Sequence, residues 1–248
     1  MNTTNNTVLI TGGSAGIGLE TAKILAAAGN KIIITGRDRR RMDNALAQLP
    51  GVTGIISDVS KNEDIDALVA TVKEDFPALI VLINNAGRAF VYDLAANAGA
   101  AEKAGEELQT NFLSVVRLTE KLLPLFSAQK EAAVVNVSSI VTIVPGNRLP
   151  TYSASKAALH SYTQSLRISL SRAGHIKVFE LMPPLVDTEL SAEIGGHNGI
   201  PPAAVAKDLL NALSNDTYEI HVGNTKDMYQ LYLKSPAEAL NVMNPVLS

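Results

Sequence analysis

Tyr152 and Lys156 lie four residues apart, which puts a phenol and an ammonium on one face of a helix. That pairing can move a proton. The phenol serves as acid or base, and a neighbouring positive charge favours its ionised form. A tyrosine packed along a lysine stem is the plain alternative, and in a chain with six tyrosines the pair alone decides little. Its weight comes from its company. Ser138-Ser139 ends a β-branched run thirteen residues before Tyr152, Asn111 falls in an earlier helical stretch, and Asn84-Asn85-Ala86-Gly87 closes an apolar run.

A second group could hold a ligand. Thr11-Gly12-Gly13-Ser14-Ala15-Gly16-Ile17-Gly18 joins the first predicted strand to the first predicted helix. Glycines there let backbone approach a pyrophosphate, and the helix end offers N–H groups and a positive dipole end to phosphates. The spacing is Gly12-x-x-x-Gly16-x-Gly18 rather than the common G-x-G-x-x-G. Gly12-Gly13-Ser14-Ala15-Gly16 also fits a hydrolase nucleophile elbow, with His160, His175, His197 and His221 as candidate bases. Such an elbow normally follows several strands, and this one follows the first. A P-loop would need lysine after Gly18, where Leu19 stands.

These groups need a frame. Short β-branched runs at 7–11, 31–35, 53–57, 79–84, 132–138, 176–181 and 218–222 read as strands. Periodic stretches at 17–28, 38–49, 62–75, 99–127, 152–172, 201–214 and 227–240 read as helices, with a break expected near Gln109. The alternation predicts an α/β fold, a doubly wound parallel sheet with helices on both faces. No linker, repeat or low-complexity segment divides residues 1–248, so one domain is expected.

Composition narrows the function classes. Hydrophobic residues make up 46% of the 248, charged residues 18%, and the net charge is −3, so no basic field recruits nucleic acid. The absence of cysteine excludes disulfides and thiolate chemistry and permits a reducing, cytoplasmic location. Residues 1–7 lack the pattern of a signal peptide, and no apolar run is long enough to span a bilayer. No metal site and no membrane partner are expected.

With the glycine turn, Asn84 to Gly87, Asn111, Ser139 and Tyr152/Lys156 in this order and spacing, the sequence resembles the short-chain dehydrogenase/reductase family over about residues 7–188. Met182-Pro183-Pro184-Leu185-Val186-Asp187-Thr188-Glu189-Leu190 and the short C-terminus look like its DltE-like branch. The resemblance implies a Rossmann-type fold with about seven strands, a nicotinamide cofactor, and hydride transfer to or from a carbonyl or alcohol carbon. It implies Tyr152 as general acid and base, with Lys156 stabilising the phenolate and holding the nicotinamide ribose. It implies Ser139 as the group polarising the substrate oxygen, and Asn111 as holder of a water linking Lys156 to solvent. Gly12, Ser14, Gly16, Ile17 and Gly18 would cradle the cofactor phosphates. Asp58 and Val59 would face its adenine, and Asn85, Ala86 and Gly87 would line the adenosine side. Pro183, Val186 and Thr188 would stand at the nicotinamide end. One departure is Pro184, where the family usually has glycine and a backbone donor is lost.

Residues 185–200 are expected to cover the substrate as a loop or short helix, and 224–248 to form a C-terminal tail. The glycines of the loop, Gly195, Gly196 and Gly199, fit either movement or a static connection. Ile140, Leu149, Leu185 and Leu190 are candidate substrate contacts, which suits an apolar ketone or secondary alcohol. Ile140 and its apolar neighbours could equally pack the core. Arg88 and Arg148 fit either an anionic substrate or simple solvation. Small residues Ala154, Ala157, Ala158, Ser161 and Ser165 leave a helix face open to close packing, as for a homodimer or homotetramer. A non-catalytic NAD(P)-binding regulator is the alternative function.

The second strand runs into Gly36-Arg37-Asp38-Arg39-Arg40-Arg41. An NAD-specific fold places an acidic acceptor for the adenosine ribose here. Gly36 and Arg37 instead favour NADPH, because a guanidinium reads a 2′-phosphate through two donors. NADH stays open through Asp38, which is either a ribose acceptor or a helix cap.

Overall fold

The computed structural model describes residues 1–172 and 174–245. Its strands are β1 (Thr7–Ile10), β2 (Lys31–Gly36), β3 (Thr53–Ile56), β4 (Leu79–Asn84), β5 (Ala132–Val137), β6 (Ile176–Met182) and β7 (Glu219–His221). They form a seven-stranded sheet, parallel throughout, in the order β3-β2-β1-β4-β5-β6-β7. The helices are α1 (Gly16–Ala27), α2 (Arg39–Leu46), α3 (Asn62–Asp75), α4 (Ala100–Leu108), α5 (Ser114–Ser127), α6 (Pro150–Ser171), α7 (Pro202–Asn215), α8 (Thr225–Lys234) and α9 (Pro236–Met243).

Strand side chains alternate between the two faces, and each face carries its own apolar layer. Val8, Ile10, Ile32, Ile34, Val81 and Ile83 pack with Ala22, Leu25, Met42, Leu209 and Leu213 of α1, α2 and α7. Leu9, Ile33, Leu82 and Val134 pack on the other face with Leu68, Leu118, Phe126 and Leu166 of α3, α5 and α6. Strands apolar on both faces are what a covered parallel sheet requires. The direction of winding reverses between β1 and β4, and a crevice for a ligand lies outside their carboxyl ends. The expected Rossmann-type architecture is therefore present.

Three local expectations change. The break near Gln109 is a π-helical turn, Gln109–Leu113, that carries α4 into α5 without a kink residue. The terminal helix expected over 227–240 is two helices. Pro236 drives Ser235 into extended backbone (φ −152, ψ 90), and Ser235 then caps α9 by accepting from Glu238 N at 3.4 Å. Residues 246–248 of the expected tail lie outside the described residues. Helix α6 begins at Pro150 rather than Tyr152, since a proline's fixed φ suits the first helical turn.

Residues 185–200 fold into two short 3-10 turns, Glu189–Ile194 and Gly196–Asn198. The ends are tied together, with Asp187 N donating to Ile200 O at 2.9 Å and Ile200 N to Leu185 O at 3.0 Å. A Cβ on Gly199 would lie 2.6 Å from Leu185 O, and one on Gly196 2.3 Å from Ser191 Oγ. Two of the three glycines thus serve close packing, the static alternative. Among the described residues no helix is long and apolar enough to cross a membrane.

Candidate active site at the carboxyl end of the sheet

Helix α6 lays Tyr152, Lys156 and His160 along one face, each four residues after the last. That face meets the carboxyl ends of β5 and β6. Lys156 is 3% exposed, and its Nζ donates to Val137 O at 2.7 Å. Ser139, just past β5, accepts from Val141 N at 3.3 Å and acts on the Tyr152 phenol, which it favours in its ionised form. Phenol, hydroxyl and ammonium therefore converge from two elements.

Asn111 reaches this cluster because the π turn redirects it inward. It is fully buried. Its Oδ1 accepts from Arg88 N, and its Nδ2 donates to Arg88 O and to Ser155 Oγ, each at 2.8 Å. Both amide donors are thus committed to joining the segment after β4 to α6. Beside them a Cβ on Gly87 would lie 3.6 Å from Asn111 Oδ1 and 4.0 Å from Lys156 Nζ, so these two polar atoms flank Gly87.

Burial dominates the electrostatics. It pushes the Tyr152 phenol up to about 12; the Ser139 hydrogen bond offsets part of this and the nearby Glu107 carboxylate adds to it. Burial pulls the Lys156 ammonium down to about 8, against the opposing pull of Glu180. Lys156 Nζ lies 5.7 Å from the Tyr152 ring centroid and is aimed at a carbonyl. Desolvation, rather than the expected influence of the Lys156 charge, governs the phenol, which is held as an acid.

The glycine turn closes against β4 through Thr11, which was missed as a site residue. Its hydroxyl accepts from Asn85 N at 3.0 Å and Ala86 N at 3.1 Å. Asn85 Nδ2 donates back to Thr11 O at 3.0 Å and Gly12 O at 3.1 Å. Gly12 needs φ +64, and a Cβ there would lie 2.9 Å from Ala86 Cα. A Cβ on Gly18 would lie 2.4 Å from Gly12 O and 2.5 Å from Asn85 Nδ2. Gly18→Ala should therefore lower stability by about 1–3 kcal/mol, the usual cost of overpacking. Thermal denaturation checks this; an unchanged Tm would mean that the turn has room the contacts deny.

The residues present fit a dinucleotide. The N-terminal end of α1, with Gly16, Ile17 and Gly18, has no side-chain cap and no acidic residue in its first turn, so its N–H groups and dipole are available to phosphates. Thr188 comes within 3.1 Å of a Cβ built on Gly16, which brings the segment after β6 over the glycine turn. Arg41 and Glu189 form an exposed ion pair at 2.7 Å across the same mouth. At the end of β2, Ser14 Oγ lies 2.8 Å from a Cβ built on Gly36, so only glycine fits. Burial pushes the Asp58 carboxyl up, but the Ser60 hydroxyl and amide and then the Arg37 and Lys61 charges leave it below its ordinary range. The Arg37 charge thus acts on Asp58, and Val59, the next residue, is buried. Asp38 is a helix cap, since its Oδ1 accepts from Arg41 N at 2.8 Å.

Pro183 O accepts from Ile140 N at 2.8 Å, and Val186 is buried and bridges to Ile200. Ile140, Val141 and Val144 pack with Met228 of α8 and Ala239 of α9, with Tyr152 against the same cluster. Ile140 is thus both a core residue and a neighbour of the phenol. Leu149 is buried at the start of α6, Leu185 is half-buried, and Leu190 is exposed. Arg88 pairs with Glu106, and Arg148 donates to Glu193 O at 3.2 Å, so both arginines have protein partners.

Sequence reasoning also missed two buried carboxylates. Glu107 accepts from Phe90 N at 2.7 Å, while its Oε2 is buried with no hydrogen-bond partner among the described residues; burial raises its carboxyl above the ordinary range. Glu180 of β6 is fully buried and accepts from Ser138 Oγ at 2.5 Å. For Glu180 the available signal was an acidic residue in the middle of a strand, between Phe179 and Leu181.

Residues 6–199 match the short chain dehydrogenase family. The uncharacterized oxidoreductase DltE of Bacillus subtilis is 39% identical over 208 residues, 84% of this chain and 82% of its own length. An uncharacterized oxidoreductase of Staphylococcus saprophyticus is 30% identical, over 85% of this chain and 92% of its own. A solved short chain dehydrogenase from Burkholderia cenocepacia in complex with NADP superposes with a TM-score of 0.86 at 22% identity, covering 100% of both chains. One from Burkholderia phymatum in complex with NAD gives 0.87 at 21% identity, again over 100% of both.

Proposed function

The chain belongs to the short-chain dehydrogenase/reductase family of oxidoreductases, in its DltE-like branch, and on that premise we propose that it is an NAD(P)-dependent carbonyl reductase or secondary alcohol dehydrogenase. The observation that carries this reading is the convergence of Tyr152, Ser139 and buried Lys156 at the carboxyl end of the sheet, with Lys156 Nζ 5.7 Å from the Tyr152 ring centroid.

The nicotinamide, when bound, supplies or accepts the hydride. The protein supplies the rest. Ser139 and Tyr152 present two hydroxyls to one substrate oxygen. In reduction the phenol donates its proton to that oxygen as negative charge develops there, and in oxidation it takes the proton back. A phenol held up at about 12 is suited to remain protonated until that moment. Lys156 provides a buried positive charge behind the ring and a donor toward the cofactor ribose. Asn111 holds the segment after β4 in register with α6, and its Oδ1 keeps capacity for a water beside Gly87. The glycine turn, Asn85, Ala86, Gly87, Pro183, Val186 and Thr188 hold the cofactor; Ile140, Leu149, Leu185 and Leu190 border an apolar substrate. Ala154, Ala157, Ser161, Ser165 and the 68% exposed Ile168 leave a flat stripe on α6 suited to a homodimer or homotetramer. Fluorescence titration with NADPH and NADH, followed by a ketone panel read as loss of NAD(P)H absorbance, tests the reading. Binding without turnover on any carbonyl would favour a regulator instead.

The preferred cofactor is NADPH. Asp38 is engaged as a cap, and Arg37 directly follows the end of β2, where its charge acts on Asp58. Arg37→Ala should lower the NADPH:NADH ratio of kcat/KM by about tenfold or more, the loss of one charge-assisted contact worth about 1.5–3 kcal/mol. A wild type that favours NADH, or a ratio unmoved in the variant, removes the assignment.

A further inference from the structure

The one buried residue of helix α4 is a carboxylic acid, Glu107, with no exposure. An apolar side chain would fill that position without the desolvation that a carboxyl costs. Its Oε1 accepts from Phe90 N at 2.7 Å, and its Oε2 has no hydrogen-bond partner among the described residues. One helical turn on, Asn111 Oδ1 accepts from Arg88 N at 2.8 Å. Side chains four apart on one helical face thus take the N–H groups of residues two apart. The spacings match: four helical residues rise about 6 Å, two extended residues about 6.6 Å, and alternate N–H groups of an extended segment point to one edge. Arg148 O continues the row by accepting from Tyr92 N at 3.2 Å. Residues 88–92 are therefore a strap fastened along three acceptors. Lys103, one turn before Glu107, lies 6.0 Å from the Phe90 ring and 5.4 Å from the Tyr92 ring, as a strap running along α4 requires.

The strap meets the site at both ends. It starts after Gly87, where a built Cβ lies 4.0 Å from Lys156 Nζ. It ends at Tyr92, whose Oη shares a hydrogen bond at 2.6 Å with Oγ1 of Thr151, the residue before Tyr152. We propose that Glu107 is a positioning residue: with Asn111 it holds residues 88–92 extended beside the reacting groups and so sets the affinity for the ketone, without taking part in hydride or proton transfer. The inference rests on the oxidoreductase reading of the site. Asn111 fixes the first residue of the strap through both Arg88 N and Arg88 O, and Arg148 and Thr151 fix the last. The Phe90 N–H between them goes to Glu107. Without that acceptor a half-buried N–H is left to find water, and the middle of the strap must shift to reach it. The bond does not depend on a negative charge. Burial favours the uncharged carboxyl, and Arg88, whose charge acts on Glu107, is paired with Glu106. A protonated carboxyl still has an accepting oxygen, and glutamine reproduces it.

The test uses the full chain with Glu107→Met, Glu107→Gln and Glu107→Asp. Methionine keeps the length and suits a buried site but offers the amide no oxygen. In Glu107→Met, hydrogen exchange at residues 88–92 should speed up by about tenfold, the scale of one hydrogen bond, while exchange in the sheet stays as in wild type. At saturating NADPH the KM for a ketone should rise by about tenfold and kcat should stay within about threefold, the split expected when binding alone is lost. NADPH affinity by fluorescence should not move. Glu107→Gln should return both exchange and KM to near wild type. Should Glu107→Met fail to fold, Glu107→Asp decides, because one methylene less draws the carboxyl back from Phe90 N and should give the same split. Wild-type exchange at residues 88–92 in the methionine and aspartate variants overturns the proposal whether or not the chain reduces ketones. A fall in kcat or in NADPH affinity as large as the rise in KM also overturns it, as does a glutamine variant as impaired as the methionine one. Faster exchange in Glu107→Met beside a wild type that turns over no ketone removes the reductase and leaves Glu107 as the holder of the strap.

Discussion

Tyr152→Phe should fold, bind NADPH and lose at least about 10²-fold in turnover, the usual scale of general acid catalysis. The ring keeps its contacts with the cluster of Ile140, Val141 and Met228, so shape and packing survive. What disappears is the phenolic proton beside Ser139. Ser139 keeps its bond from Val141 N, so the loss in stability should stay within about 1 kcal/mol, the scale of one hydrogen bond. Ketone-dependent loss of NADPH absorbance gives the rate, and fluorescence gives the affinity. Near-normal turnover in the variant would end the assignment of Tyr152.

Lys156→Met should separate function from stability. Turnover should fall by about 10²-fold or more, and NADPH affinity by about tenfold, because one ammonium serves both the phenol and the ribose. Stability should move the other way or not at all. Burial holds the ammonium at about 8 against its ordinary 10.5, so the charged form opposes folding by about 3 kcal/mol near neutrality. Removing it leaves Val137 O without its donor, which costs about 1–3 kcal/mol. The net expectation runs from no change to a gain of about 2 kcal/mol. The sign of the pH dependence follows from the same shift. A base depressed by folding binds fewer protons folded than unfolded between about 8 and about 10.4, so wild-type stability should gain from this group as pH rises through that window. The variant should lack that rise. Denaturant melts at pH 7 and pH 10 check both parts, and a variant destabilised by more than about 2 kcal/mol would mean that the buried charge is a net support of the fold.

The amino-acid sequence by itself determined the elements and the identity of the chemical groups. Short β-branched runs, helical periodicity and the clustered glycines are local signals, and they located the seven strands and the glycine turn. The spacing of Tyr152 and Lys156 put them on one helical face because 3.6 residues make a turn. Some departures were also local and legible afterwards: Pro236 splits the last helix, and Asp38 caps α2. Only the tertiary structure decided what those groups touch. Asn111 reads as a polar helix residue, yet a π turn aims it at Arg88 and Ser155. Thr11 clamps Asn85 and Ala86 because β1 lies beside β4 in the sheet, an order no local pattern states. Glu180 looks like an acidic flaw in an apolar strand until β6 is set beside β5 and under α6, where Ser138 and His160 meet it. The same assembly half-buries Tyr152 and removes Lys156 from water, and desolvation then acts on the phenol against the shift expected from Lys156. Periodicity specifies which face a side chain occupies, but desolvation and charge depend on what the rest of the chain places against that face.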